Sequence, residues 1–372
     1  MIPRPPRVRG RARAAALAGA ISLFAGPSST ADAPTDFGFT ATGGPLALHG
    51  PRGMDALDPQ ACARCHADVA EEWSGSMHAR SSVDPIFRAE LAESRDTHAC
   101  VSCHAPLDVD RTSERLSAIG VACAACHVRD GTILARGVAR TERAPHPLRR
   151  VRDLGSPEFC GSCHDFAFPV QRPGPGAPYE PGSPQQRTLG EWRPTEHARS
   201  GRDCVACHMP EVVRDTGRRG RSHRVRSLED PAFVATALDV HASARLADGG
   251  VEVAVDLRVA GAGHAVPTGD IFRELHVEAT NGCGSDRSIG MRRFAEAPVG
   301  RGFVLRDSYD DRVFPDEPRH VVLRLPRCTG PIRYEVRLLR LAESAAIRRG
   351  FERAAYVIPL ANGMLEEPGV RR

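Results

Sequence analysis

Two textures of hydrophobic and polar positions divide the chain. From about residue 232 onward, apolar and polar side chains alternate. Val251-Glu-Val-Ala-Val-Asp-Leu-Arg-Val259 and Glu274-Leu-His-Val-Glu-Ala279 keep a period of two, and Val321-Val-Leu-Arg-Leu325 and Tyr334-Glu-Val-Arg-Leu338 continue it. That is the pattern of half-buried strands. It predicts a small antiparallel β domain over 232–372, built as a sandwich. Ser344 to Ala355 is amphipathic at helical spacing and predicts a terminal helix. Between 57 and 231 neither period persists, and short helices are expected. Asp58-Pro59-Gln60 and Ser156-Pro157-Glu158 are helix-start signals there. Pro169 to Pro184 reads as a surface loop, and residues 34–56, rich in Gly and Pro, as a flexible lead-in. The expected class is α+β: a mainly helical or irregular domain over 57–231, then the β domain.

The first 33 residues stand apart. Arg4, Arg7, Arg9, Arg11 and Arg13 precede a short apolar run from Ala14 to Ala25, and small residues at Ser29 to Ala33 offer cleavage points. This is the arrangement of an export signal. The run is too short to span a bilayer, and no later stretch is apolar enough to do so. A periplasmic mature chain without a transmembrane span is therefore expected. Removing the signal takes the formal charge from +4 to zero. The basic balance is thus no argument for a nucleic-acid partner. All 50 basic residues counted with Lys and Arg are Arg.

The irregular region carries one pentapeptide five times, Cys-x-x-Cys-His: Cys62, Cys65 and His66; Cys100, Cys103 and His104; Cys123, Cys126 and His127; Cys160, Cys163 and His164; Cys204, Cys207 and His208. This is the attachment pattern of a c-type haem. Two thiols at that spacing form thioethers with the vinyl groups, and the following His becomes the proximal iron ligand. Paired Cys-x-x-Cys units also build zinc ribbons. Here every pair is followed at once by His, although His makes up only 15 of 372 residues, which favours five covalent haems. Their propionates would make the loaded protein acidic. A region so poor in aromatic residues would also rely on porphyrin for its apolar mass. Cys283 and Cys328 lie outside every motif and would pair as a disulfide in an oxidising compartment.

Each iron needs a sixth ligand or leaves an open position. Local context ranks five histidines as distal candidates. His78 and His197 each follow a Trp by five residues (Trp73, Trp192), which reads as one device used twice. His146 is flanked by Pro145 and Pro147, His223 lies in an Arg-rich loop after the fifth motif, and His264 sits in an irregular turn, Gly261 to Gly269. His98 is a reserve and Met77 an alternative to His78. His241, His276 and His320 fall in or near strands and read as structural.

These residues resemble the cytochrome c-554-type multihaem cytochromes. The resemblance rests on Cys62 to His66 with Trp73 and His78, Cys100 to His104 with Ala105-Pro106, Gly120 to His127 with His146, and Cys204 to His208 with Met209-Pro210. Gly263-His264-Ala-Val-Pro267-Thr-Gly269 is similar to a signature in the β domain of related exported multihaem proteins. The resemblance covers about 57–270. It implies closely packed haems, mostly with two His ligands, that pass electrons; redox protein partners, and docking to a membrane or outer-surface electron-transfer complex, are expected of such a carrier and are not carried over from the resemblance. The prototype has four haems, so the fifth motif and the β domain depart from it. The alternative is a multihaem oxidoreductase with one five-coordinate haem acting on a small nitrogen or sulfur oxyanion, its anion cavity sought near Arg214 to Arg226. The pentahaem nitrite reductases use Lys as the proximal ligand of their active haem, and a chain without Lys excludes that version.

Overall fold

The computed structural model describes residues 50–94, 97–136, 144–167, 184–299, 302–366 and 368, with backbone alone over 294–308. The expected export signal, most of the lead-in and nearly all of the Pro/Gly-rich loop lie outside the described residues.

Short capped helices dominate up to residue 235. They are α1 (Pro59–Ala63), α2 (Ala67–Ser74), α3 (Met77–Arg80), α4 (Pro85–Glu93), α5 (Thr97–His104), α6 (Glu114–Ala118) and α7 (Cys123–His127). After them come α8 (Pro157–His164), α9 (Thr188–Trp192), α10 (Glu196–Arg199), α11 (Cys204–His208) and α12 (Pro231–Ala235). Their starts follow from side-chain caps. Asp58 accepts Gln60 N–H ahead of Pro59, Ser156 accepts Phe159 N–H ahead of Pro157, and Asp203 accepts Ala206 N–H; each satisfies an otherwise orphaned helix donor. Small strands fill the gaps: β1 (Val128–Arg129), β2 (Thr132–Ala135) and β3 (Leu148–Arg150) form one sheet, β4 (Asp165–Ala167) pairs with β5 (Pro184–Arg187), and β6 (Glu211–Val213) with β7 (Arg219–Arg221).

The second half is a two-sheet β structure. It comprises β8 (Leu238–Ala247), β9 (Gly250–Val259), β10 (Glu274–Thr280), β11 (Asp286–Met291), the hairpin β12 (Arg293–Val299) and β13 (Gly302–Asp310), then β14 (Arg319–Pro326) and β15 (Ile332–Leu339). One sheet runs β14-β9-β8. The other runs β11-β10-β15 and ends on β16 (Val357–Leu365). Val253, Val255 and Leu257 of β9, Leu323 of β14, Leu275 and Val277 of β10 and Val336 of β15 meet in one buried core. The period of two therefore turned one face of each strand inward, as expected. Cys283 and Cys328 are disulfide-bonded, joining the turn after β10 to the turn before β15.

The terminal helix is broken in two, contrary to expectation. The chain forms α13 (Glu343–Arg348) and α14 (Arg353–Tyr356), separated where Gly350 takes φ +71° and Phe351 N–H returns to Ala346 O at 3.0 Å. A left-handed Gly with that backward bond is a helix terminator, and it outweighs the apolar spacing. After α14 the chain enters β16, which the sequence reading missed because Pro359 and Gly363 interrupt it. Proline is tolerated because β16 is an edge strand and Pro359 follows a register shift in its pairing with β15.

The described residues belong to one compact unit. Ile86 of α4 packs with Leu339, Leu341, Ala346 and Tyr356. Arg340 pairs with Asp84 at 2.9 Å, and Arg349 with Glu90 and Glu93 at 2.5 and 2.6 Å. Deeper in, Arg312 and Glu191 meet at 2.8 Å with both side chains only 4% exposed.

Candidate metal centres and their imidazoles

Helical geometry makes each pentapeptide a three-point grip. Residues three and four apart share a helix face, so both Cys and the His of a motif can address one object. The motifs at 100, 123, 160 and 204 end helices α5, α7, α8 and α11, while Cys62 lies in α1 and His66 opens α2. Second contacts then orient the rings. His104 Nδ1 lies 2.9 Å from Ser81 O, His127 Nδ1 2.8 Å from Leu134 O, and His208 Nδ1 2.7 Å from Arg226 O. A carbonyl can only accept, so Nδ1 carries the proton in each, and Nε2 keeps a lone pair for a metal.

Three imidazoles face a second imidazole from a distant segment. His164 faces His78 with ring centroids 6.3 Å apart, His127 faces His223 at 6.1 Å, and His208 faces His264 at 6.3 Å. Two metal–imidazole bonds of about 2 Å each, plus the half-widths of two rings, give about the same span. The donor set therefore fits an axially ligated iron. Depth and exposure point the same way. His78, His127, His164 and His264 lie deep in the molecule, yet none is fully covered by protein, and His164 keeps much of its surface open. Side chains both deep and uncovered line internal space, as a chain shaped around prosthetic groups requires. Burial, reinforced by neighbouring imidazoles, lowers His78 to about 4 and His164 to about 3. Both are neutral at physiological pH and competent to ligate.

Sulfurs from different motifs also meet. Cys62 hydrogen-bonds Cys123, Cys103 hydrogen-bonds Cys163, and Cys160 hydrogen-bonds Cys204. In a loaded chain these atoms are thioether sulfurs, so the contacts report which sites adjoin. Among the described residues no group of three or more His, Cys, Asp or Glu side chains is arranged to hold a metal ion directly, unlike a zinc ribbon.

The remaining candidates are placed differently. His146 leaves Nδ1 buried without a partner and lines a cavity of about 770 Å³ with Pro51, Met54, Asp130 and Pro147. His197 leaves Nε2 buried without a partner, beside Gly263. Neither faces a motif histidine among the described ring contacts. The two Trp segments share a local pattern of side-chain hydrogen bonds. Trp73 Nε1 donates to Val121 O and Trp192 Nε1 to Arg202 O, while Ser76 and Thr195 each bond back to their Trp carbonyl at 2.7 Å. His98 is exposed, the Met77 sulfur takes Arg80, and His241, His276 and His320 lie in strands.

Several supporting residues had no readable signal in the sequence. Phe87 stacks on His104 at 3.9 Å, and no second imidazole faces His104 among the described residues. Glu72 accepts His223 N–H at 2.8 Å and Arg214 at 3.0 Å. The Arg-rich stretch thus contributes a clamp for His223 through Arg214.

Residues 61–128 match the family described as cytochrome c554 and c-prime. In fold the chain is similar to a penta-heme cytochrome c552 from Thermochromatium tepidum, with a TM-score of 0.64 at 20% identity, over 84% of this chain and 98% of that one. No curated protein matches the chain. No helix among the described residues is long and apolar enough to cross a membrane. Together the motifs, the family match and the fold support a multihaem c-type cytochrome with a redox role.

Proposed function

We propose that this chain is an exported electron-transfer protein that binds five c-type haems, most of them with two His ligands. The carrying observation is the set of three facing imidazole pairs at 6.1–6.3 Å. His164 with His78, His127 with His223, and His208 with His264 are the proposed axial pairs. The ten motif cysteines hold the thioethers, and His66 and His104 are the remaining proximal ligands. His146 and His197, each with an unpartnered ring nitrogen, remain the distal candidates for these. An iron with both axial positions filled supplies a one-electron couple and no site for substrate. The protein's own contribution is to hold neutral imidazoles in place, through Nδ1 bonds to backbone carbonyls, and to bring neighbouring sites close. Electrons would pass to redox partners docked on the surface, in the periplasm or at a membrane-associated complex.

A second reading rests on His104. Phe87 covers one ring face, and no described imidazole stands opposite, so one iron with an open sixth position is compatible with this arrangement. The test is the EPR spectrum of the oxidised holoprotein, after denatured mass has established the haem count. An all-low-spin spectrum unchanged by nitrite supports the carrier. A high-spin component that shifts with nitrite supports the open-iron reading, and a mass short of five haem increments overturns the count.

A further inference from the structure

The two Trp segments match in their backbone bonds as well. Val121 N–H donates to His78 O at 2.9 Å, while Val121 O takes Trp73 Nε1. Arg202 N–H donates to His197 O at 2.8 Å, while Arg202 O takes Trp192 Nε1. Each of these two residues follows a left-handed glycine, Gly120 or Gly201, and a motif begins two residues later. A serine closes each segment three residues after its histidine. Ser200 keeps its hydroxyl within its own turn, on Glu196 O at 2.8 Å and His197 O at 3.2 Å.

Ser81 reaches further. Its hydroxyl donates to His78 O at 2.9 Å and to His104 O at 2.8 Å, and accepts Val121 N–H at 3.2 Å. The bond to His78 is the common local back-bond of a serine in a helical turn. The bond to His104 spans 23 residues, and it is returned: His104 Nδ1–H donates to Ser81 O at 2.9 Å. Two opposed bonds fix the ring and the backbone of His104 together. His208 has the same double grip on Arg226, but there the return bond comes from a backbone N–H, at 3.0 Å. At His104 it comes from a side chain. A hydroxyl carries one proton, so the carbonyls of His78 and His104 share it, and a shift of either changes the bond to the other. Gly120 closes over this hydroxyl: a Cβ there would lie 2.8 Å from Ser81 Oγ, whereas at Gly201 it would meet nothing within 4 Å.

We propose that Ser81 is a positioning residue that couples two metal sites, holding both His104 of the second motif and His78, the imidazole that faces His164 of the fourth. This rests on the reading that His78 and His104 bind haem iron. Donation from Nδ1 to a carbonyl raises the basicity of the ligating nitrogen, which favours the oxidised iron. Removing the Ser81 hydroxyl loosens that donation at His104 and frees the backbone that orients His78.

The test compares wild type with Ser81→Ala, Ser81→Thr and Ser200→Ala in the loaded chain. Denatured mass is measured first, so that haem missing from wild type counts against the functional reading and not against Ser81. EPR of the oxidised protein and spectroelectrochemical titration follow, with His78→Ala identifying the signal of its own iron. Ser81→Ala is expected to raise the midpoint potential of one haem and to change the EPR g values of two, that of His78 among them, with the rest unmoved. Ser81→Thr keeps the hydroxyl and should retain the wild-type pattern. Ser200→Ala, which removes the local bonds alone, should leave both irons as in wild type. Changes in Ser81→Ala that are confined to one iron, spread over every iron or absent would overturn the proposal. Should Ser81→Ala fail to assemble, Ser81→Cys carries the comparison, because it keeps the size and leaves only a weak donor.

Discussion

Glu72 and His223 are 151 residues apart in sequence and joined by a 2.8 Å hydrogen bond from the His223 backbone N–H to the Glu72 carboxylate. The same carboxylate holds Arg214, which reaches on to Arg221 O. His223 Nδ1 in turn lies 3.0 Å from Arg221 O. The helix that follows the first motif thus fixes the loop whose imidazole faces the third.

Removing that carboxylate should release the loop. Burial works against the Glu72 charge, but donation from Arg214 and from His223 N–H prevails and holds the carboxyl below its ordinary value. The clamp is therefore complete above the ordinary carboxylate range and weakens as pH falls through the lower folded value. Glu72→Ala is expected to cost about 1.5–3 kcal/mol locally. Part of one haem's low-spin EPR signal should convert to high spin. A spectrum identical to wild type would show that His223 is held without the clamp.

Each facing imidazole can be deleted on its own. His78→Ala, His223→Ala and His264→Ala are each expected to convert one iron to high spin, with all five thioether pairs intact. The double variants should convert two. Room-temperature absorption in the high-spin charge-transfer region measures this, and an unchanged count in any single variant removes that pair from the assignment.

The ion pair between Glu191 and Arg312 should behave as a buried charge pair. Thr268 Oγ1 donates to Glu191 at 2.6 Å, and Arg312 Nη1 donates to Pro267 O at 2.9 Å, so the pair braces the turn that carries His264. Glu191→Leu removes one of two carboxylates on the guanidinium, since Arg312 also pairs with Asp310 at 2.7 Å, and losing one charged hydrogen-bond partner costs about 1.5–3 kcal/mol. A denaturant midpoint within error of wild type would contradict this. The same variant should perturb the His264 iron first.

Asp108 is an acid-sensitive brace of the region that carries the motifs. Burial pushes its carboxyl up, yet bonds from Ser117, Ser113 and Thr112 outweigh it and hold the group below its ordinary value. Its contribution is present above the ordinary Asp value of about 3.9 and is lost as pH falls through the lower folded value. Asp108→Asn should destabilise by about 1–3 kcal/mol near neutrality, and the gap to wild type should close in acid. Urea midpoints at pH 7 and at pH 3 decide the matter; a constant gap would mean that charge is not involved.

The β half was legible because one buried face per strand imposes a period of two, as Val251 to Val259 shows. β16 was not, since its Pro359 is tolerated only by its edge position, which no local pattern announces. The five motifs stand out in the sequence because their spacing is fixed, and under the proposed function thioether chemistry is what demands it. His78, His223 and His264 could be singled out by context, but which motif histidine each faces is a tertiary fact.

The sulfur contacts between motifs have a consequence for traffic. The first site touches the third, and the fourth touches both the second and the fifth. Drawn as a graph, these contacts join the second, fourth and fifth sites in one row and the first and third in another. Under the proposed function the fourth site is the middle of its row. Disabling an endpoint shortens that row, whereas disabling the fourth site separates the second from the fifth.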